Sequence, residues 1–318
     1  MSGAEWMWHA VGLLAVLVVA VVVPWIGMRM LKSSLAEVGR TARNYRGREV
    51  PLGLALVWVF WAVALAAHQV LALAYALPHE YTASLWFEIT TTIPLVLGAF
   101  TFGLIDDTFG TAGHKGFRGH LSALRRGRLT TGALKLFGIG FLALLGAALP
   151  AFGTEGVTPR SIAHYIVAVL VIGLAANTVN LFDLRPGRAL KAYSMFVVVS
   201  VPAGVWSLVV ANAGPPLATA ALDGLLVLVV ALGPVLAVWR QDVREEGMLG
   251  DAGANAFGML AGLLLVSALP LAGAVAAAAV LLAVNLASER VSFSAVIERT
   301  PWLAALDRWG RPTDTPVP

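Results

Sequence analysis

Nine stretches of this chain stay apolar over the thickness of a bilayer, and that repetition constrains the fold more than any other feature. A crossing helix needs roughly 20 apolar residues. The stretches fall at about 6–27, 52–74, 85–105, 131–152, 162–182, 192–211, 221–239, 252–269 and 271–287. Hydrocarbon offers no hydrogen-bond partner, so such segments cross as helices or as closed barrels, and runs of this length select helices. Only 13% of the 318 residues are charged, against about a quarter in a soluble domain. The expected fold is therefore all-α, a polytopic membrane protein of about nine transmembrane helices. Pro270 divides the last two spans, which are rich in Ala and Gly and suited to close helix packing. The first span lacks a basic n-region and a small-residue cleavage site, so it reads as retained. The absence of cysteine excludes disulfides and thiolate metal sites.

The basic residues orient this array. If nine spans alternate, 20 of the 22 Lys and Arg fall on one side, in loops 28–51, 106–130, 183–191 and 240–251 and in the tail. Lys135 enters span four from that side, and only Arg160 lies opposite. The positive-inside rule then places the N-terminus outside and the C-terminus in the cytoplasm of a multi-pass cell-membrane protein. The net charge of +4 is thus explained by topology and anionic lipid, and no nucleic-acid partner is expected. Residues 1–288 form the membrane domain on this reading. Residues 289–311 form an amphipathic cytoplasmic helical extension of the ninth helix, and 312–318 a disordered tail.

The acids and amides are not explained by topology. Asp106 and Asp107 sit where a helix dipole disfavours acids. Asn177, Asn180 and Asp183 share one helix face at spacings of three. Asp251 precedes the helix beginning near Ala252 and could equally serve as its N-cap. All three groups reach the same membrane face. Polar groups in such runs face a bundle interior or a cavity, although amides there also glue helices together. Convergent oxygen ligands suit Mg²⁺, or Mn²⁺, which works with one or two carboxylates plus substrate phosphates. That combination suggests phosphate chemistry on a lipid-borne anion. Lys135 is a candidate phosphate contact or a snorkelling span-end lysine. Lys115 and Arg118 lie in a loop rich in phosphate-binding groups that could also touch headgroups, as could His114 and His120. No G-x-x-x-x-G-K-[ST] run occurs, so nucleotide-driven chemistry is unsupported. A transporter would place its polar stripe at mid-membrane, whereas these acids gather at one face.

Three motifs in this order resemble the polyprenyl-phosphate sugar-1-phosphate transferase superfamily, which includes the phospho-MurNAc-pentapeptide and GlcNAc-1-phosphate transferases of envelope synthesis. IDD at 105–107 matches its aspartate pair, NTVNLFD at 177–183 its N-x-x-N-x-x-D motif, and LGDAGANAFG at 249–258 its M-G-D-x-G-S-x-x-L-G motif. Lys135 falls where the family keeps a lysine. The resemblance covers about residues 45–290. It implies a Mg²⁺-dependent enzyme at the cytoplasmic face, moving a sugar-1-phosphate from a UDP-sugar (a UDP-HexNAc) to polyprenyl phosphate and releasing UMP. It also implies a homodimer. By residue, it implies metal binding by Asp251 and Asp107, and catalytic roles for Asp106, Asp107 and Asp251. Asn177, Asn180 and Asp183 would line the substrate site with Lys135.

The chain departs from the family in two places. The motif at 177–183 continues as DLRPGRALK, where Arg185, Arg188 and Lys191 replace acid and glycine; the arginines could clamp phosphate bidentately. No histidine follows His164, so the family's histidine-rich loop has no counterpart. A non-catalytic scaffold or lipid-phosphate binder is therefore the competing expectation.

Overall fold

The computed structural model describes residues 3–37, 41–74, 79–110, 116–152, 157–210 and 216–311. Among them nine helices are long and apolar enough to cross a membrane, and the chain is an all-α polytopic membrane protein. Helix α1 (Gly3–Leu17), a π-helical turn (Val18–Val22) and α2 (Val23–Glu37) follow one another without a break. Their crossing segment is Ala10–Leu35, shifted inward from the expected 6–27. Met28, Met30, Leu31 and Leu35 prolong the apolar surface. The two cations among them find local partners: Arg29 lies 5.5 Å from the Trp25 ring centroid and Lys32 is 2.7 Å from Glu246. A π-turn lets a helix deviate locally. Gly233 packs against this one so tightly that a Cβ there would lie 1.9 Å from the Ala20 carbonyl oxygen.

A short hairpin, β1 (Thr41–Arg43) and β2 (Glu49–Pro51), precedes α3 (Val57–Ala74). Then come α4 (His79–Phe109), the amphipathic α5 (Gly116–Arg125), α6 (Thr131–Phe152), α7 (Pro159–Phe182), α8 (Arg188–Val210), α9 (Leu217–Val243), α10 (Gly250–Ala268) and α11 (Leu271–Ser288). Helix α10 is the axis of the bundle and packs most extensively on α7 and α4. Without a hydrophobic drive in lipid, helices associate where small residues let their backbones meet. Cβ atoms on Gly258 and Gly262 would fall 2.5 and 2.6 Å from the Cα atoms of Ala176 and Ile172 on α7. Trp58, Trp61, Tyr193 and Phe257 form a buried aromatic cluster with centroids 4.6–5.3 Å apart, edge-on or tilted. Its polar atoms are used too: the Trp61 indole donates to the Val230 carbonyl at 2.9 Å and the Tyr193 hydroxyl to that of Ala231 at 2.8 Å.

The last segment differs from expectation. Residues 289–311 do not prolong the ninth helix; they turn and fold back as α12 (Phe293–Arg299) and α13 (Pro301–Arg308). The Ser292 hydroxyl caps α12. Pro301, which lacks an N–H and fits a first helical turn, opens α13 after Thr300. Residues 312–318 lie outside the described residues.

Candidate functional site

The aspartate pair lies on the last turn of α4, not beyond it. One turn earlier, Gly103 allows α4 to meet α10: a Cβ there would sit 2.4 Å from the Asp251 carbonyl oxygen. This contact delivers Asp107 to the start of α10, where its carboxylate accepts from the N–H groups of Asp251 (3.0 Å) and Ala252 (2.9 Å). Asp183, at the end of α7, accepts from the N–H of Gly250. The first turn of a helix has N–H groups without intrahelical partners and carries partial positive charge. Here two carboxylates from other helices satisfy them. Asp251 is thus not the cap of its own helix; Asp107 and Asp183 fill that role.

This arrangement leaves the Asp251 side chain free to turn toward α6. Lys135 places its ammonium 2.7 Å from Asp251 Oδ2 and 2.7 Å from Asp106 Oδ2, while Thr131 hydrogen-bonds Asp106. The Asn255 amide donates to the Asp251 backbone carbonyl at 2.6 Å. Four helix ends, those of α4, α6, α7 and α10, are therefore joined through Asp106, Asp107, Lys135, Asp183 and Asp251.

The amides of the 177–183 motif divide. Asn177 bonds Asn285 of α11 at 2.5 Å, and Asn285 in turn holds Thr178 at 2.9 Å, so Asn177 ties two helices and is not brought to the acids. Asn180 keeps a buried side-chain oxygen with no partner. Asp183 lies three residues further along the same helix end. Burial, then the carboxylates of Asp242, Asp251 and Asp107, push the Asp183 carboxyl well above its usual range, against the Gly250 N–H. Beside Asp183 opens a small surface recess, walled in part by Tyr45, Arg185, Asp242 and Glu245. Tyr45 stands on the hairpin, and the Arg185 guanidinium lies 5.2 Å over its ring centroid. Asn44 and Tyr45 both donate to Glu245, at 2.9 and 3.1 Å.

Asp242 was not anticipated. It is buried at the end of α9 and accepts from the Gly187 N–H at 2.7 Å, fixing the turn that follows Asp183. Gly187 has φ +77°, a conformation that glycine adopts without strain. An acid three residues beyond an apolar span was the available signal in the sequence.

The basic residues of DLRPGRALK are engaged elsewhere. Arg188, 4% exposed, grips Asp307 of α13 bidentately at 2.7 and 3.0 Å and holds Ser294 at 2.7 Å. Lys191 donates to the carbonyls of Leu306 (2.9 Å) and Asp307 (2.7 Å). Arg185 pairs with Glu298 of α12. The expected phosphate clamp is instead the socket for the C-terminal helices. The sequence could not show this, because Asp307 lies 119 residues from Arg188. Arg118 falls on α5, whereas Lys115 lies outside the described residues.

Among the described residues no three His, Asp or Glu side chains are arranged to hold a metal by themselves. The cluster nevertheless fits an ion that takes part of its shell from a substrate. It sets four carboxylates, Asp106, Asp107, Asp183 and Asp251, against the single ammonium of Lys135, so protons or a divalent cation must supply the difference. A carboxylate that accepts two N–H bonds keeps further lone pairs, and three residues before Asp183 the Asn180 side-chain oxygen is buried without a partner. Comparison with protein-family models finds none that matches the chain, and a search of curated proteins likewise finds no match.

Proposed function

We propose that this protein transfers a sugar-1-phosphate from a UDP-HexNAc to a polyprenyl phosphate at the cytoplasmic face of the cell membrane, with release of UMP. The observation that carries the reading is the meeting of four helix ends in one charged cluster, Asp106–Lys135–Asp251 beside Asp107 and Asp183. Isolated caps and helix glue would not need Lys135 to bridge two carboxylates from different helices. In the reaction an oxygen of the lipid phosphate attacks the β-phosphorus of the UDP-sugar. A new P–O bond forms, the bond between the β-phosphorus and the bridging oxygen breaks, and UMP leaves with that oxygen and its electron pair. The lipid phosphate is already ionised near neutral pH, so no side chain has to remove a proton.

Asp251 and Asp107 are the groups that would hold Mg²⁺, which when bound neutralises pyrophosphate charge. Lys135 holds Asp106 and Asp251 in position and offers a cation to the phosphates. The recess beside Asp183 would receive the nucleotide, with Tyr45 as an aromatic wall. Purified protein, undecaprenyl phosphate, Mg²⁺ and a panel of UDP-sugars should yield UMP, and Asp251→Asn should abolish it. No UMP from any common UDP-HexNAc, with folded protein in lipid, would sink the proposal. A second reading, a non-catalytic lipid-phosphate binder or scaffold, draws on the use of Arg188 and Lys191 to hold α13 instead of a phosphate.

A further inference from the structure

The C-terminal helices carry a second, outward surface that the transferase reading does not use. Asp307 and Ala304 are buried on the inner side of α13. On its other side Trp302 and Leu306 are 69% and 45% exposed, and their spacing of four places them on one stripe; Trp309, which ends the helix, is 65% exposed and leans one face of its ring on Trp239 of α9, centroids 5.4 Å apart. Val291 and Val296 continue the exposed apolar surface, and Arg290, Arg299 and Arg308 are exposed around it. Residues 289–292 alone separate α12 from α11, whose Val275, Val280, Leu282 and Leu286 are exposed along a candidate span. The stripe is therefore continuous in the chain with a lipid-facing helix. It begins within one short turn of the membrane surface, with the Trp, Leu and Arg composition of interfacial segments.

We infer that α12 and α13 form a lipid-interface strap: Trp302, Leu306 and Trp309 seat in the headgroup layer, while Asp307 on the opposite side grips Arg188. The occupant of the exposed stripe is thus the membrane surface itself. The strap links that surface to the turn after Asp183, since Arg188 and Gly187 are neighbours and Gly187 is fixed by Asp242. This inference goes beyond the proposed reaction and does not depend on it.

The chain contains no cysteine, so a single spin label can be attached at a chosen site. Trp302→Cys and Trp309→Cys, labelled and reconstituted in phospholipid nanodiscs, would be compared with Leu282→Cys as a lipid standard and Arg43→Cys as an aqueous one. All four positions are exposed, Trp309 with one face on Trp239, and folding is checked by elution as a single species. Collision rates with oxygen and with a water-soluble nickel chelate are then measured. The expected result is strong oxygen and weak nickel accessibility at 302 and 309, close to Leu282→Cys. Nickel accessibility equal to that of Arg43→Cys would overturn the inference, and low accessibility to both reagents would show that protein, not lipid, covers the stripe. The readout contains no catalytic step, so loss of the transferase reading would leave it intact.

Discussion

Replacing Asp307 by Ala should release the C-terminal strap without unfolding the bundle. Asp307 accepts from Arg188 Nε at 2.7 Å, Arg188 Nη2 at 3.0 Å and Arg311 Nη2 at 2.5 Å, and both Arg188 and Asp307 are buried. Its loss would leave a buried guanidinium with Ser294 in place of a carboxylate. Deleting one partner of a buried pair costs about 3–5 kcal/mol, which corresponds to roughly 10²- to 4 × 10³-fold in the open population of the strap. Arg311 would lose its carboxylate partner in the same step, while Lys191 keeps the backbone carbonyls of Leu306 and Asp307. Amide hydrogen exchange in α13 reads that population directly: protection there should collapse, while protection in α10 stays near wild type. Arg188→Met with Asp307→Leu should recover much of the protection, because a packed apolar pair removes the unpaired charge. The pH dependence has a definite sign. Burial alone would raise the Asp307 carboxyl, but Arg188 and Arg311 outweigh it and hold the group below its usual range. The contribution is thus complete above the unfolded carboxylate value of about 4 and is lost as pH falls through the lower folded value. Unchanged α13 exchange in Asp307→Ala would refute this account of the strap.

Other perturbations test the charged cluster. Lys135→Met leaves Asp106 and Asp251 facing each other without a cation; the cost should be about 2–4 kcal/mol, discounted for partial exposure. Added Mg²⁺ should raise its thermal midpoint more than that of the wild type, and an equal response would count against a cation-deficient cluster. Asp183 has a raised folded value, so the folded state binds the extra proton. Stability should therefore fall as pH rises from about 4 toward that value. Asp183→Asn should flatten this dependence and raise the midpoint at pH 7 in chelator; a lower midpoint would contradict the assignment. Gly103→Leu puts a side chain where a Cβ already lies 2.4 Å from the Asp251 carbonyl. It should separate α4 from α10, cost about 1–3 kcal/mol or more, and abolish any activity, read by thermal unfolding and UMP release.

The spans were legible because bilayer thickness and hydropathy act locally, and the gathering of Asp106, Asp107, Lys135, Asp183 and Asp251 at one membrane face followed from alternation of the spans. What the sequence hid were choices among partners. Asp251 looked like a cap because it begins a helix, yet carboxylates on α4 and α7 take that role once Gly103 lets the backbones meet. Arg188 and Lys191 looked like phosphate ligands because they stand where the resembled motif carries acid and glycine; their partners sit on α13 and the residues around it. Asn177 looked like a site residue because it shares a face with Asn180, but Asn285, an amide inside an Ala-rich span, claims it. The break at Ser292 and the Thr300–Pro301 step rests on capping and turn chemistry that the expectation of one continuous extension passed over. The direction of the fold-back was not legible, because it depends on the Asp307 contact.

The central claim is transfer of the phosphate together with the sugar. The most direct test follows label from a UDP-HexNAc carrying ³²P at the β-phosphorus, incubated with the protein, undecaprenyl phosphate and Mg²⁺. The label should enter the organic-extractable lipid in step with UMP release and should fail to do so in Asp251→Asn. Label remaining in the aqueous phase, with folded protein and bound lipid, would contradict the account.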